Sequence, residues 1–364
     1  MAKPKTKKKG TLNKSFSFGP ITLVQKALFA KHVSIMLKSG LNIVEALAIT
    51  EDEATGKFKN VLKQVLESVM SGNSLAESLR KHPRVFSNFF VNSVQVGEAS
   101  GTLVENFQNI AKQLEKEQQL SSKIKGAMLY PLIIFGATIV LAIVLSFVVL
   151  PKIIPLFEGL NIELPLTTRI LIWFSHFVAS YGHIAVIVLV LIVAAFAALC
   201  RQKFSHPVTH WLLLHIPVVK GISKYANLIR FNRSLGILLK SGINIDEALR
   251  ITSETVNNYY YQKAIAEVAG QIKKGTKLKN NLDKYRRLFP KLVSNMIGVG
   301  EETGRLDETL LYLADFYEFE VDNATKSLTA VLEPVLLLVI GVIVALFATA
   351  IITPIYVITG NVKA

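Results

Sequence analysis

The sequence predicts an all-α integral membrane protein with three transmembrane helices and two tandem cytoplasmic helical bundles. Three observations predict it. The chain repeats itself, it holds three apolar stretches long enough to span a bilayer, and its basic residues avoid one side of those stretches. A basic chain that is 51% hydrophobic, with a formal charge of +15, is unusual for a soluble protein and points to charges collected on one membrane face. Nucleic-acid binding, the other common reading of a basic chain, loses because the charges follow topology. One cysteine, Cys200, excludes a disulfide framework and a Cys-based zinc site.

The repeat is explicit. Residues 29–50, FAKHVSIMLKSGLNIVEALAIT, and 231–252, FNRSLGILLKSGINIDEALRIT, are identical at 13 of 22 positions with no gap. A second pair follows at 71–107 and 274–310. Each copy then enters a hydrophobic stretch, through AMLYP at 127–131 and AVLEP at 330–334, and the stretches end at matching prolines, Pro151 and Pro354. So long a period excludes a solenoid and means two tandem domains.

In chain order, 1–20 is a lysine-rich tail with little apolar content, expected to be disordered and to lie against anionic lipid headgroups. No secretory signal is expected there. Residues 21–126 form the first cytoplasmic domain, with apolar residues at helical spacing. Ser39-Gly40 ends a helix, as Ser241-Gly242 does in the second copy, with Gly40 and Gly242 in the position after the helix. Ser74-x-x-Glu77 and Thr102-x-x-Glu105 read as capping boxes. Each domain is expected to hold about six helices, the last running on into the membrane.

Residues 127–150 carry no charge and give the first span, since about 20 apolar residues cross a bilayer. Residues 151–177 form a periplasmic or interfacial loop, 178–200 the second span and 201–224 an interfacial linker. Residues 225–330 form the second cytoplasmic domain, 331–353 the third span and 354–364 an extracytoplasmic tail. Of 41 Lys and Arg, only Lys152, Arg169 and Lys363 fall outside the segments assigned to the cytoplasm, so the N-terminus is expected inside and the C-terminus outside. The second span returns the chain, and the duplicated domains are parallel rather than inverted.

The best local motif is a corner between the fifth and sixth helices of each copy. It reads Gly97-Glu98-Ala99-Ser100-Gly101 and Gly300-Glu301-Glu302-Thr303-Gly304. Gly101 and Gly304 suit a left-handed turn, Gly97 and Gly300 a close helix approach. Glu98 and Glu301 are expected against the free amides of the following helix start. The corner is either a plain helix–helix turn or a docking point for a partner.

The ordered set F-x(7)-L-K-S-G-[LI]-N-I-x-E-A-L, then L-F or V-F, G-E-x-[ST]-G-x-L and a Pro-led membrane helix, occurs twice and resembles the type II secretion system F-domain family. These are platform proteins of the bacterial inner membrane in type IV pilus, type II secretion and competence machines. The resemblance covers residues 25 to 358, including two F domains. It implies a non-enzymatic assembly platform with no cofactor. Its cytoplasmic domains would meet a hexameric ATPase, and its membrane part would handle pilin or pseudopilin subunits. Other inner-membrane assembly proteins and further copies of the chain would be partners, as a dimer or higher homo-oligomer, with no nucleic acid.

The residues agree on the absence of chemistry. Gly270-Gln-Ile-Lys-Lys-Gly275-Thr-Lys277 has Thr and Lys in the wrong order for a phosphate loop. His206, His210 and His215 lack a third zinc ligand, and their segment reads as interfacial packing. Ser175, His176, Ser180 and His183 lack a nucleophile elbow. Glu333, the one acid in a span, either sits at headgroup level or meets the N-terminal amine of a pilin. Pro131 and Pro334 either start a helix or kink one at the bilayer surface, coupling domain rotation to the spans. The competing classes are a small oligomeric transporter or channel and a membrane-anchored signalling scaffold.

Overall fold

The computed structural model describes residues 20–144 and 206–361, with a few isolated positions between them. The predicted second span and the loop before it lie essentially outside the described residues, as does the basic tail. The described residues are helical and include no strand. At most eight residues separate consecutive α-helices within each half.

The first half holds α1 (Leu23–Lys38), α2 (Ile43–Glu53), α3 (Gly56–Met70), α4 (Leu75–Arg80), α5 (Asn88–Ser100) and α6 (Leu103–Val144). After α7 (His206–His215) the second half holds α8 (Pro217–Lys240), α9 (Ile245–Thr255), α10 (Tyr259–Ile272), α11 (Leu278–Leu282), the 3-10 turn Asp283–Tyr285, α12 (Lys291–Thr303) and α13 (Leu306–Asn361). The order of long and short helices repeats with the sequence. One difference is at the start: α8 has 24 residues against 16 in α1, so it begins inside the segment read as a linker.

Caps set these boundaries. Thr22 and Gln25 exchange side-chain bonds with each other's backbone at the start of α1, and Asn42 and Glu45 do the same for α2. At the end of α1, Gly40 N–H bonds Leu37 C=O at 3.1 Å and Leu41 N–H bonds Met36 C=O at 3.1 Å. The end of α8 repeats the pattern, with Gly242 to Leu239 at 2.9 Å and Ile243 to Leu238 at 3.0 Å. Crossed bonds of this kind satisfy the last carbonyls and stop a helix sharply.

The described residues divide into two compact units. One takes those up to Leu120 with Asn227–Asn257 and Tyr261–Phe316, so the amphipathic parts of both repeats belong to it. Its first-half core is a phenylalanine cluster. Phe29 lies 5.9 Å from Phe58 and from Phe86, and 6.2 Å from Phe90 and from Phe107, ring centre to ring centre. In the second half Phe231 packs on Phe289 at 5.0 Å, and Tyr261 on Phe289 at 5.4 Å. Phe86 and Phe289, the phenylalanines of the V-F and L-F motifs, are both buried. Burying an aromatic ring contributes about 1.5–3 kcal/mol, and offset or edge-on partners add about 0.5–1.5 kcal/mol.

The other unit takes the described parts of Ser121–Ala226 and Tyr317–Ala364, with Asn258–Tyr260. Lys123 pairs with Asp322 at 2.8 Å, and the Tyr225 ring lies tilted against Tyr317 at 5.5 Å. Among the described residues, two helical stretches, in α6 and α13, are long and apolar enough to cross a membrane. Their apolar side chains point outward: Leu132 is 68% and Leu338 67% exposed. Such a surface suits lipid rather than water.

Candidate functional site

The repeated corner is built from backbone geometry first. Gly101 and Gly304 adopt φ of 72° and 71°, a left-handed conformation that costs other residues about 1–2 kcal/mol. Thr102 N–H then reaches Gly97 C=O at 2.9 Å, and Arg305 N–H reaches Gly300 C=O at 3.0 Å. The chain therefore reverses within one turn. A methyl group on Gly97 would stand 3.1 Å from Leu103 Cα, and one on Gly300 only 2.7 Å from the Thr309 hydroxyl. At both glycines the next helix passes at backbone contact, so a side chain there would have to push it away.

Glu98 and Glu301 face the opposite way from the expected one. Neither reaches forward to the next helix. Each clamps the short helix that precedes its own. Leu75 N–H donates to Glu98 Oε1 at 2.6 Å and Ala76 N–H to Oε2 at 2.9 Å. Glu77 N–H donates to Ser74 Oγ at 3.1 Å, and Ser78 N–H to Ser74 C=O at 3.0 Å. Thus the three first-turn amides without a helical partner, those of Leu75, Ala76 and Glu77, are satisfied by Ser74 and a distant carboxylate, and the Ser78 bond is the first of the helix itself. Glu301 repeats the clamp on Leu278 N–H at 2.7 Å and Lys279 N–H at 3.3 Å. Lys277 stands where Ser74 would, and α11 has no side-chain cap of its own. Thr102 is turned toward Ser100 at 2.7 Å and Asn106 at 2.9 Å.

Sequence reasoning missed the boxes at Thr22–Gln25 and Asn42–Glu45. The signal was present, since Asn42-x-x-Glu45 is part of the repeated N-I-x-E-A-L string. In the second copy Glu247 is drawn away by Arg250, whose Nε donates to it at 2.8 Å. That bond holds the Glu247 carboxyl below its usual range, against a smaller opposing effect of burial. Asn244 accepts no capping bond. The equivalent of Arg250 is Ala48, so the first copy keeps its box.

The two halves meet through polar contacts. Asn88 at the start of α5 donates to Glu254 at the end of α9. In α6, Gln113 approaches the Ser234 hydroxyl at 3.4 Å, and Glu117 accepts from Arg230 Nε at 3.2 Å. The Arg230 side chain is 14% exposed, a partly desolvated ion pair. Beside it, Lys26 donates to Val85 C=O at 3.0 Å, and burial lowers its pKa while Glu117 opposes the shift.

The remaining candidates lie on other helices. Pro131 is inside α6, and α13 runs unbroken through Pro334 and Pro354 to Asn361. Neither proline starts a helix, and Pro354 does not end one. Each removes one backbone bond from its helix. Glu333 is exposed on the α13 surface. His210 Nδ1 accepts from Tyr259 N–H at 3.0 Å, and His215 stacks on Trp211 at 4.1 Å with its Nδ1 2.8 Å from Trp211 C=O. His210 thus caps and His215 packs.

Among the described residues, fold and corner together define an all-α protein with a twice-repeated helical plan and two membrane-length apolar helices. Its family follows from comparison. The family described as type II secretion system (T2SS), protein F, matches residues 29–151 and again 231–354, so the chain belongs to it. The chain is 37% identical over 342 residues to the type IV pilus assembly protein PilC of Thermus thermophilus, covering 93% of this chain and 83% of that one. It is 33% identical over 367 residues to the PilC of Myxococcus xanthus, covering 99% and 87%. Type II secretion system protein F of Aeromonas hydrophila is 30% identical over 332 residues, covering 90% and 85%.

Proposed function

We propose that this protein is the inner-membrane platform of a type IV pilus or type II secretion machine, coupling a cytoplasmic hexameric ATPase to the assembly of pilin-like subunits. The observation that carries the reading is the double family match, each copy of which takes in a glycine corner and the long helix that leaves it. In this reading three helices cross the membrane. Residues 21–126 and 225–330 are paired F domains in the cytoplasm, and the C-terminal tail lies outside. ATPase movement turns the F domains at the Gly97–Gly101 and Gly300–Gly304 corners. The long helices carry that movement past Pro131 and Pro334, where the missing backbone bond makes bending easiest. Glu333 stands at the membrane surface for the subunit being extracted. The work comes from the ATPase, not from chemistry in this chain.

The clamps change where docking should be sought. Both oxygens of Glu98 and Glu301 are engaged within the fold, so the exposed rim beside them meets the partner. Glu302, with 68% of its side chain exposed, is the charge to reverse. The test reconstitutes the full chain in lipid with its cognate ATPase. A change in hydrolysis rate, lost in Glu302→Lys, is expected. A rate identical with and without the protein, together with failure to co-purify, would remove the coupling role. A reporter after residue 160 or at the C-terminus should be extracytoplasmic, and one after 215 cytoplasmic.

A further inference from the structure

Equivalent faces of the two halves meet different environments. Ile237 and Ile251 are 5% and 1% exposed, whereas their repeat partners Ile35 and Ile49, the same residue type, are 54% and 42% exposed. The second-half pair is covered because α5 and α6 of the first half lie on that face. Asn88–Glu254 sits one turn from Ile251, and Gln113–Ser234 one turn from Ile237. The opposite inequality holds on the covering side. Phe89 at the start of α5 is 4% exposed, and its equivalent Leu292 at the start of α12 is 46% exposed, with Tyr312 of α13 at 61%. Duplication has therefore left one of each complementary face open.

We propose that a second copy of this chain covers the open first-half face with its own α12–α13 face, repeating between chains the contact that joins the halves within one. Three features support a second copy as the occupant. The surfaces left open are apolar on both sides, Leu28, Ile35 and Ile49 against Leu292 and Tyr312, and large open apolar patches mark association sites. Charge is complementary as well. The position of Asn88 is held by Lys291, and that of Glu254 by Asp52, which is flanked by Glu51 and Glu53, three carboxylates against the one lysine beside them, Lys59 at 3.3 Å from Asp52. The internal amide–carboxylate bond becomes an ammonium–carboxylate pair between chains. Finally, the open face keeps a cleft of about 210 Å³ lined by Leu28, His32, Glu53 and Phe58. Its His32–Glu53 pair at 2.9 Å stands where Ser234 and Thr255 bond at 3.1 Å beneath α6. Each chain offers one face of each kind, so the contact is head-to-tail and is satisfied throughout when chains close into a ring.

The test is disulfide trapping of the full chain in native membranes, in a Cys200→Ser background with a mild oxidant. Asp52→Cys with Lys291→Cys should give a covalent dimer, and so should co-expression of the two single variants on differently tagged chains. Asn88→Cys with Glu254→Cys should close within one chain without changing its mass, which shows that the oxidant reaches folded protein. Adding Ile35→Asp should abolish the intermolecular bond and leave the internal one intact. Three results would overturn the proposal: no dimer from the Asp52–Lys291 pair while the internal bond forms, linkage of Asp52→Cys to a different protein, or a dimer that survives Ile35→Asp. None of these outcomes depends on which fibre the machine builds.

Discussion

Replacing Glu98 by alanine removes both bonds of the first clamp. The amides it satisfies belong to Leu75 and Ala76, which are 1% and 2% exposed, so water cannot take its place. Hydrogen bonds to a charged group contribute about 1.5–3 kcal/mol each. Because the second is longer and the carboxylate is only half-buried, the pair is worth about 3 kcal/mol in all. In a folded unit of 150–250 residues each kcal/mol moves the midpoint by about 2–4 °C, so Glu98→Ala should melt about 6–12 °C lower. Glu98→Gln keeps one acceptor and turns an amide toward the other N–H, so it should lose about half as much. Glu301→Ala should cost less, about 2 kcal/mol, since its bond to Lys279 is 3.3 Å. Thermal unfolding of the purified protein in detergent, followed by helical circular dichroism, measures all three. A Glu98→Ala midpoint within about 2 °C of the parent would refute the clamp as a stabilising element.

The two tight glycines should respond unequally: Gly300→Ala meets the Thr309 hydroxyl at 2.7 Å and should cost about 1–3 kcal/mol, more than Gly97→Ala, as read from the same melts. Ile251→Ala should destabilise by about 2–5 kcal/mol, while Ile49→Ala, its repeat partner, should change stability by under about 1 kcal/mol; equal losses in denaturant titrations would contradict the packing of the halves. Burial, with Lys81 adding to it, lowers the pKa of His82 below its ordinary 6.5. The unfolded chain therefore binds the proton first as pH falls, and stability drops below about pH 6.5 until the folded value is passed. His82→Gln should flatten that part of the stability profile, and an unchanged slope would exclude His82 as its source.

Much of this protein was legible because its signals are local. Helix stops at Gly40 and Gly242, the left-handed turns at Gly101 and Gly304, and the close approach at Gly97 and Gly300 all depend on a few neighbouring residues. A short-range rule reads such features from the chain. The apolar stretches in α6 and α13 are legible for the same reason. The capping boxes at Thr22 and Asn42 are equally local, each made by two side chains three residues apart.

The sequence alone determined the duplication, the helical class, the family and the membrane-length helices, since each follows from residue order and hydropathy along one segment. Only the tertiary structure decided where Glu98 and Glu301 point, because their partners, Leu75 and Leu278, lie 23 residues upstream and are chosen by packing rather than by proximity in the chain. It also decided that the amphipathic parts of both repeats share one compact unit, and that Ile251 is buried while the identical Ile49 is open. Two copies of one motif carry the same local instructions. Their different fates come from what packs against them, and that is a property of the assembled fold.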